Sequence, residues 1–239
     1  MPKSQQPPRR VRVMITVLLL VSAPIMGLAL YGLITFPDVS RLAASNPPST
    51  ALMQARAREQ TRPSKPRWTW VPLGRISPHL QRAVIVAEDA SFYQHEGFDW
   101  KGIREAAAQD FESGRLKKGG STITQQLAKN LYLSSEKTLV RKANEALITR
   151  ALERHLPKKR ILEIYLNVVE WGKGVYGAEA AARHHFHKSA HDLTPEESAL
   201  LAAMLPAPRM YDPLRLTRYL SVRQQQILRQ MERSKGRTG

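Results

Sequence analysis

The sequence predicts a mostly α-helical protein: one membrane-spanning helix, then a single helical domain. Three observations carry this. An uncharged apolar run extends from Val13 to Phe36, helix-start signatures recur along the chain after it, and no sustained apolar–polar alternation of strand period is present. The 239 residues leave about 170–190 for a soluble domain, enough to bury a core without covalent staples. With no cysteine, disulfides and thiolate zinc sites are excluded.

The run VMITVLLLVSAPIMGLALYGLITF would measure about 36 Å as a helix, against a hydrocarbon layer of about 30 Å. Pro24 and Gly27 are tolerated in such spans. Lys3, Arg9, Arg10 and Arg12 precede it, which favours a cytoplasmic N-terminus and an exported remainder. A cleaved signal peptide fits less well, because the apolar run is long and no small-x-small cleavage site closes it. The expected division is residues 1–12 cytoplasmic, 13–36 transmembrane, 37–69 a juxtamembrane linker rich in Pro and Arg, and 70–235 the helical domain. A short helix near Ser49–Arg58 falls within the linker.

Within the domain, Ser77-Pro78 reads as an N-cap with Pro at the first helical position, and Leu80, Val84 and Ala87 share a face. Asp99 can cap a second helix carrying Ile103, Ala107 and Phe111. Ser121 can cap a third, with Ile123, Leu127 and Leu131 inward. A fourth is expected from about Glu136 to His155, with Leu139, Ala143, Leu147 and Ala151 inward, stopped by Pro157. Lys158–Trp171 is apolar on most sides and should be central, ending at Gly172 and Gly174. A short helix near Gly177–Phe186 follows. Thr194-Pro195-Glu196-Glu197 is a capping box that opens the next helix. An amphipathic helix over Leu216–Glu232 closes the set.

Chemistry has four candidate sources. Glu88 and Asp89 end the first helix, where carboxylates oppose the macrodipole; use or simple solvation would explain them. In KKGGSTITQQ, two glycines lead into a Ser/Thr cap, a geometry that offers backbone N–H groups to an anion. It is no Walker motif, since Gly120 stands where Lys is required. Thr122, Gln126 and Lys129 share a polar stripe on the helix that follows, with Gln125 four residues before Lys129. Lys137, Arg141 and Glu145 lie four apart, which suits either a solvated ion-pair ladder or a cation track for a diphosphate. His184, His185, His187 and His191 lack the HExxH spacing, and no Cys completes a metal site with them.

The excess of 37 basic over 20 acidic side chains, net +17, attracts polyanions, and alone it does not separate nucleic acid from membrane or diphosphate partners. The anchor decides for the membrane and against nucleic acid.

Five segments in order resemble the peptidoglycan glycosyltransferases of the lysozyme-like superfamily: AEDASFYQHEGFD at 87–99, GGSTITQQLAKNLYL at 119–133, RKANEALITRALE at 141–153, KKRILEIYLNVVEWG at 158–172 and GVYGAEAAARHHF at 174–186. The resemblance covers roughly residues 70–210. With no room for a transpeptidase domain, it points to the monofunctional biosynthetic form of proteobacteria. It implies a lysozyme-like domain with a membrane-proximal lobe, expected in the 105–140 region. It implies an inner-membrane enzyme that polymerises lipid II onto a growing lipid-linked glycan and releases undecaprenyl diphosphate, with or without a divalent cation such as Mg2+ or Mn2+. Cell-wall synthesis or division proteins are implied as partners.

By position, Glu88 matches the family's general base and Glu145 its second essential carboxylate. Ser121, Thr122, Gln125 and Gln126 match the donor motif, Lys129, Lys137 and Arg141 the diphosphate cations, and Lys158 and Asn167 the central-helix motif. His185 departs from the family's usual Tyr. A lytic enzyme of the same superfamily is the alternative, which the cations disfavour because a cleaved glycan has no diphosphate. A non-catalytic basic ectodomain would leave the carboxylates without a use.

Overall fold

A computed structural model describes residues 8, 10–11, 14–16, 18, 20, 22–23, 26–27, 36–59, 66–105, 120–133 and 138–235. The chain divides into two compact units, Met1–Asp38 and Val39–Gly239.

In the first unit, the described residues between Met14 and Gly27 are helical, and Met14, Leu18, Leu20 and Met26 are exposed. No helix among the described residues is long and apolar enough to cross a membrane. The rest of the expected 13–36 span lies outside the described residues.

The second unit is helical with one small sheet. A 3-10 turn, Val39–Ala43, and helix α1, Ala51–Arg58, come first. Thr50 caps α1 by accepting from Met53 N–H at 3.1 Å. Val39, Leu42 and Met53 are buried, so the stretch expected to be linker supplies packing residues and the compact unit begins well before residue 70.

Helix α2 is Pro78–Glu88. The Ser77 hydroxyl accepts from His79 N–H and donates to Leu193 C=O at 2.9 Å, so the cap also ties α2 to a distant turn. Residues 100–105 are helical, with Asp99 accepting from Gly102 N–H at 2.8 Å; the expected continuation through Ala107 and Phe111 lies outside the described residues. Helix α3 is Ile123–Tyr132. Its N-cap is Thr122 rather than Ser121, because Thr122 and Gln125 form a reciprocal capping box.

Helix α4, Leu139–His155, corrects a sequence expectation. Leu139, Val140 and Leu147 are exposed, at 89%, 65% and 59%, while Glu145, Ile148, Thr149 and Leu152 are buried. Of the expected stripe, Leu139, Ala143 and Leu147 face outward and Ala151 packs partly against the core, because the inner face is turned to bury Glu145 with Ile148 and Leu152.

Helix α5, Lys158–Val168, is the central one: Ile161, Leu162, Ile164, Tyr165, Leu166, Asn167 and Val168 are all buried. It stops three residues earlier than expected, because Glu170–Gly172 forms strand β2 against β3, Val175–Tyr176. With β1, Arg67–Trp68, these form a three-stranded sheet in the order β1-β3-β2. β1 runs parallel to β3 and β2 antiparallel, with an irregularity between Glu170 and Gly172. Strands of two or three residues leave no readable alternation. Gly177 then turns the chain at φ +81, where a Cβ would lie 2.6 Å from Asn167 O. Helix α6 is Ala178–Phe186, α7 is Pro195–Met204 behind the expected Thr194 box, and α8 is Arg218–Lys235. α8 lies across both α7 and α2.

Candidate active site

Glu88 is the last residue of α2 and Asp89 follows it as the C-cap. Their environments separate them. Asp89 is buried and fully engaged: Ile123 N–H donates to its Oδ2 at 3.0 Å, and His95 Nε2 lies 2.9 and 3.1 Å from its two oxygens. Gly97 N–H donates to His95 Nδ1 at 3.1 Å. The ring proton therefore sits on Nε2 and points at Asp89. Asp89 thus pins the start of α3 to the end of α2. Gly97 closes the same knot, accepting from the Thr122 hydroxyl at 2.7 Å. At φ +90 a Cβ on it would meet Thr149 Cγ2 at 2.8 Å.

Among the described residues, Glu88 has one hydrogen bond, from Gln126 Nε2 to its Oε2 at 2.8 Å. Gln126 Oε1 accepts from the Tyr165 hydroxyl at 2.9 Å. Burial pushes the Glu88 carboxyl above its ordinary 4.5; the Gln126 bond, Arg223 and Lys129 pull it back, and Asp89 adds to the rise. Burial likewise raises Asp89, against His95 and the Ile123 amide. The Tyr165 hydroxyl is fully buried and held well above 10, chiefly by burial and then by the two carboxylates.

Glu145, 4% exposed, is clamped on α4. Arg141 Nη1 donates to its Oε2 at 2.9 Å, and Lys142 Nζ donates to its Oε1. Arg141 Nε is buried without a hydrogen-bond partner among the described residues. Lys129 feels both carboxylates. Loss of water in the groove lowers its ammonium pKa, Glu145 opposes that, Arg141 and Lys142 add to it, and Glu88 opposes it more weakly. Both carboxylates therefore act on one cationic centre from different elements.

Two cavities meet this arrangement. One of about 390 Å³ is lined by Gln126, Lys129 and Arg141, with Arg56, Glu170 and Leu205 at its margin. The other, about 180 Å³, is lined by Glu88, Asp89, Ser121 and Thr122. It shares Ala90, Asp99 and Gly102 with a wider hollow of about 950 Å³ where Trp100 stacks on Phe98. Gln126 lines the first cavity while bonding Glu88 of the second. A carboxylate of elevated proton affinity, set beside a cationic cavity and an open one, can accept a proton on one side while an anion is held on the other.

Of the residues singled out in the sequence, Glu88, Ser121 and Thr122 line one cavity, Gln126, Lys129 and Arg141 the other, and Glu145 holds Arg141. Lys137 lies outside the described residues. Gln125 is buried in the capping box, its Oε1 accepting from Thr122 N–H at 2.9 Å. The structure does not bring Lys158 or Asn167 to these cavities. Lys158 pairs with Glu153 at 2.7 Å and lies 4.6 Å over the Phe92 ring. Asn167, fully buried, exchanges two 2.9 Å hydrogen bonds with the Val71 backbone and anchors the 66–73 segment. His185 packs inside, Nε2 3.1 Å from Trp171 O.

Sequence reading overlooked Tyr165, Lys142, His95 and Arg223. His95 and Lys142 sit within motifs already noticed. Tyr165 reads as core. Arg223 reaches the site from 136 positions away, its Nη2 donating to Ala87 O at 3.0 Å, and nothing local signals that.

The sequence model of one family, described as transglycosylase, matches residues 54–232. A biosynthetic peptidoglycan transglycosylase of Laribacter hongkongensis is 50% identical over 214 residues, 88% of this chain and 94% of the relative. A protein of the same name from Nitrosospira multiformis is 53% identical over 189 residues, covering 78% of this chain and 82% of its own. Another, from Dechloromonas aromatica, is 54% identical over 170 residues, 70% of this chain and 74% of the relative. With a family model matching residues 54–232 and relatives about 50% identical over most of its length, the chain belongs to the transglycosylase family, whose members are glycosyltransferases.

Proposed function

We propose that this enzyme polymerises peptidoglycan glycan strands from lipid II at the outer face of the cytoplasmic membrane. The observation that carries the reading is the position of Glu88 beside a cavity that holds Lys129 and Arg141. Hydrolysis or lysis of a finished glycan releases no diphosphate and has no use for those cations. The names of the relatives support the substrate class.

In this mechanism the growing lipid-linked chain is the donor, with its diphosphate against Lys129 and Arg141. The lipid II acceptor presents its 4-hydroxyl to Glu88. Glu88 takes the proton as the hydroxyl oxygen forms its bond to the donor's anomeric carbon. The bond from that carbon to the diphosphate breaks, its electron pair leaves with undecaprenyl diphosphate, and the sugar inverts in a single displacement. A positioned base is worth about 10²–10⁴-fold, and charge stabilisation of the leaving group is often the larger contribution. Glu145 acts through Arg141 and Lys142, fixing the guanidinium, whose buried Nε has no hydrogen-bond partner among the described residues. Both oxygens of Glu145 already accept from cations, and those of Asp89 from His95 and Ile123. No group of three metal-ligating side chains occurs among the described residues. These engaged oxygens leave a Mg2+ or Mn2+ little of the carboxylate ligation it takes beside substrate phosphates, and the described cations that meet the diphosphate are Lys129 and Arg141.

The reading includes a single-pass anchor over residues 13–36 with a periplasmic catalytic unit, supported by the basic flank and by the polyprenyl tails of both substrates. Tethering enzyme and substrate to one bilayer raises their effective concentration. The outward Leu139, Val140 and Leu147, beside Arg150 and Arg154, suit contact with an anionic leaflet. Incubation of the full chain with lipid II tests the function: strands retained on a gel are expected, and release of fragments from purified cell wall with no polymer from lipid II would identify a lytic enzyme instead.

A further inference from the structure

The end of α2 receives a contact that the mechanism above leaves unused. α8 is anchored by Leu220, Ile227 and Met231, all buried. Arg223 lies three residues after Leu220 and four before Ile227, so helical spacing turns it toward the same packed side. Its guanidinium reaches Ala87, the residue before Glu88, and donates to that carbonyl at 3.0 Å. Carbonyls in the last turn of a helix lack intrahelical partners and carry the negative end of the macrodipole. A cation there satisfies the orphan acceptor and offsets the field that otherwise disfavours an ionised Glu88.

Among the described residues, the groups that act most on Glu88 come from four elements. Asp89 adjoins it on its own turn. From α3 come the Gln126 amide and the Lys129 ammonium; from α5 comes the neutral Tyr165 hydroxyl, through Gln126; from α8 comes Arg223. The two cations differ in their surroundings. Lys129 lines the 390 Å³ cavity and Arg223 does not. A diphosphate that enters that cavity compensates the Lys129 charge, and would itself repel a carboxylate nearby. At the moment a base is needed, the support Lys129 gives Glu88 is largely cancelled, while that from Arg223 is not.

We propose that Arg223 is a positioning residue for Glu88: it holds the last turn of α2 in place and supplies the fixed positive charge that keeps Glu88 ionised once donor diphosphate has occupied Lys129. This rests on Glu88 being the base. It assigns part of the site to the final helix, outside all five motifs.

The test reads the Glu88 carboxyl directly in the detergent-solubilised full chain labelled with carboxyl-¹³C glutamate. The Glu88 signal is identified by its loss in Glu88→Gln. In Arg223→Gln the Glu88 titration midpoint is expected to rise, and inorganic pyrophosphate at saturation should widen the gap from wild type. The acid limb of kcat/KM for lipid II should move with it, so that the loss is about tenfold or more near about pH 5 and shrinks toward about pH 8. Arg223→Lys should keep the midpoint near that of wild type but lower kcat, because a point charge holds the Ala87 carbonyl less well than a guanidinium. An unmoved midpoint in Arg223→Gln, with activity lowered equally at every pH, would overturn the proposal and leave Arg223 a packing residue. Should Arg223→Gln fail to fold by circular dichroism, Arg223→Lys decides: a raised midpoint, or kcat unchanged, overturns it. The titration needs no turnover, so failure of the lipid II assay in wild type would sink the function and not this charge relation.

Discussion

Tyr165 fixes the direction in which Gln126 faces Glu88. The phenol donates to Gln126 Oε1 at 2.9 Å, which leaves Nε2 to donate to the Glu88 carboxylate at 2.8 Å. A hydrogen bond to the charged form favours it, so this relay opposes the burial that would keep Glu88 protonated. Gln126→Leu is expected to cut polymerisation of lipid II by about tenfold or more and to move the acid limb of its pH profile upward. Tyr165→Phe should do the same more weakly, since the amide can then reverse. Initial rates across a pH series check both.

Glu88→Gln should abolish polymer formation and yet stabilise the fold near neutral pH. Burial raises the folded-state value above 4.5, so the native protein holds this proton more tightly than the unfolded chain. Stability then falls as pH climbs from the ordinary value through the raised one, and above that window the ionised carboxylate is a net cost. Gln keeps the bond to Gln126 without the charge. Calorimetry near about pH 7.5 should show a melting temperature higher by about a few degrees, with the difference vanishing in acid.

Glu145→Ala strands Arg141 and Lys142 beside each other. Because the Lys142 side chain is 52% exposed, the loss should stay below the about 3–5 kcal/mol of a fully buried pair. Donor handling should suffer more: inhibition by inorganic pyrophosphate is expected to weaken by about tenfold or more, as in Lys129→Ala. Denaturant melts and inhibition curves measured on the same preparations separate the two effects.

Leu139→Ser combined with Leu147→Ser should leave stability within about 0.5 kcal/mol, the range for exposed positions, because neither side chain is in the core. Co-sedimentation of residues 36–239 with anionic vesicles should drop. Equal vesicle binding by the double variant would remove α4 from the membrane contact.

Gly177→Ala is expected to cost about 2 kcal/mol or more, since the new methyl would meet Asn167 O at 2.6 Å at positive φ. Thermal melts check it, and activity per folded molecule should change little.

Local signals were legible in the sequence. Ser77-Pro78 and Thr194-x-x-Glu197 mark helix starts because a cap acts within three residues of itself. The site was legible where motif and geometry coincide, as at Glu88, Gln126, Lys129 and Arg141. The outward face of α4 was not, because periodicity sends Leu139 and Leu147 inward and cannot know that Glu145 claims the interior. Nor were the contacts of Tyr165 and Arg223, since a hydroxyl on an apolar helix and one Arg among many in a basic chain carry no local mark. The capping role of Thr122 and Gln125 was not legible either: both side chains serve the backbone of α3, while Thr122 also lines the Glu88 cavity.

The reach of α8 back to Ala87 has a consequence for biogenesis. Glu88 is made early in translation and the α8 contact beside it almost last, so a nascent chain carries the whole set of motifs before that contact can form. A stop codon shortly ahead of Arg218 would leave every signature segment in place and deprive the Ala87 carbonyl of its α8 donor. The last turn of α2 would gain its outside donor only once the final helix had been made and packed.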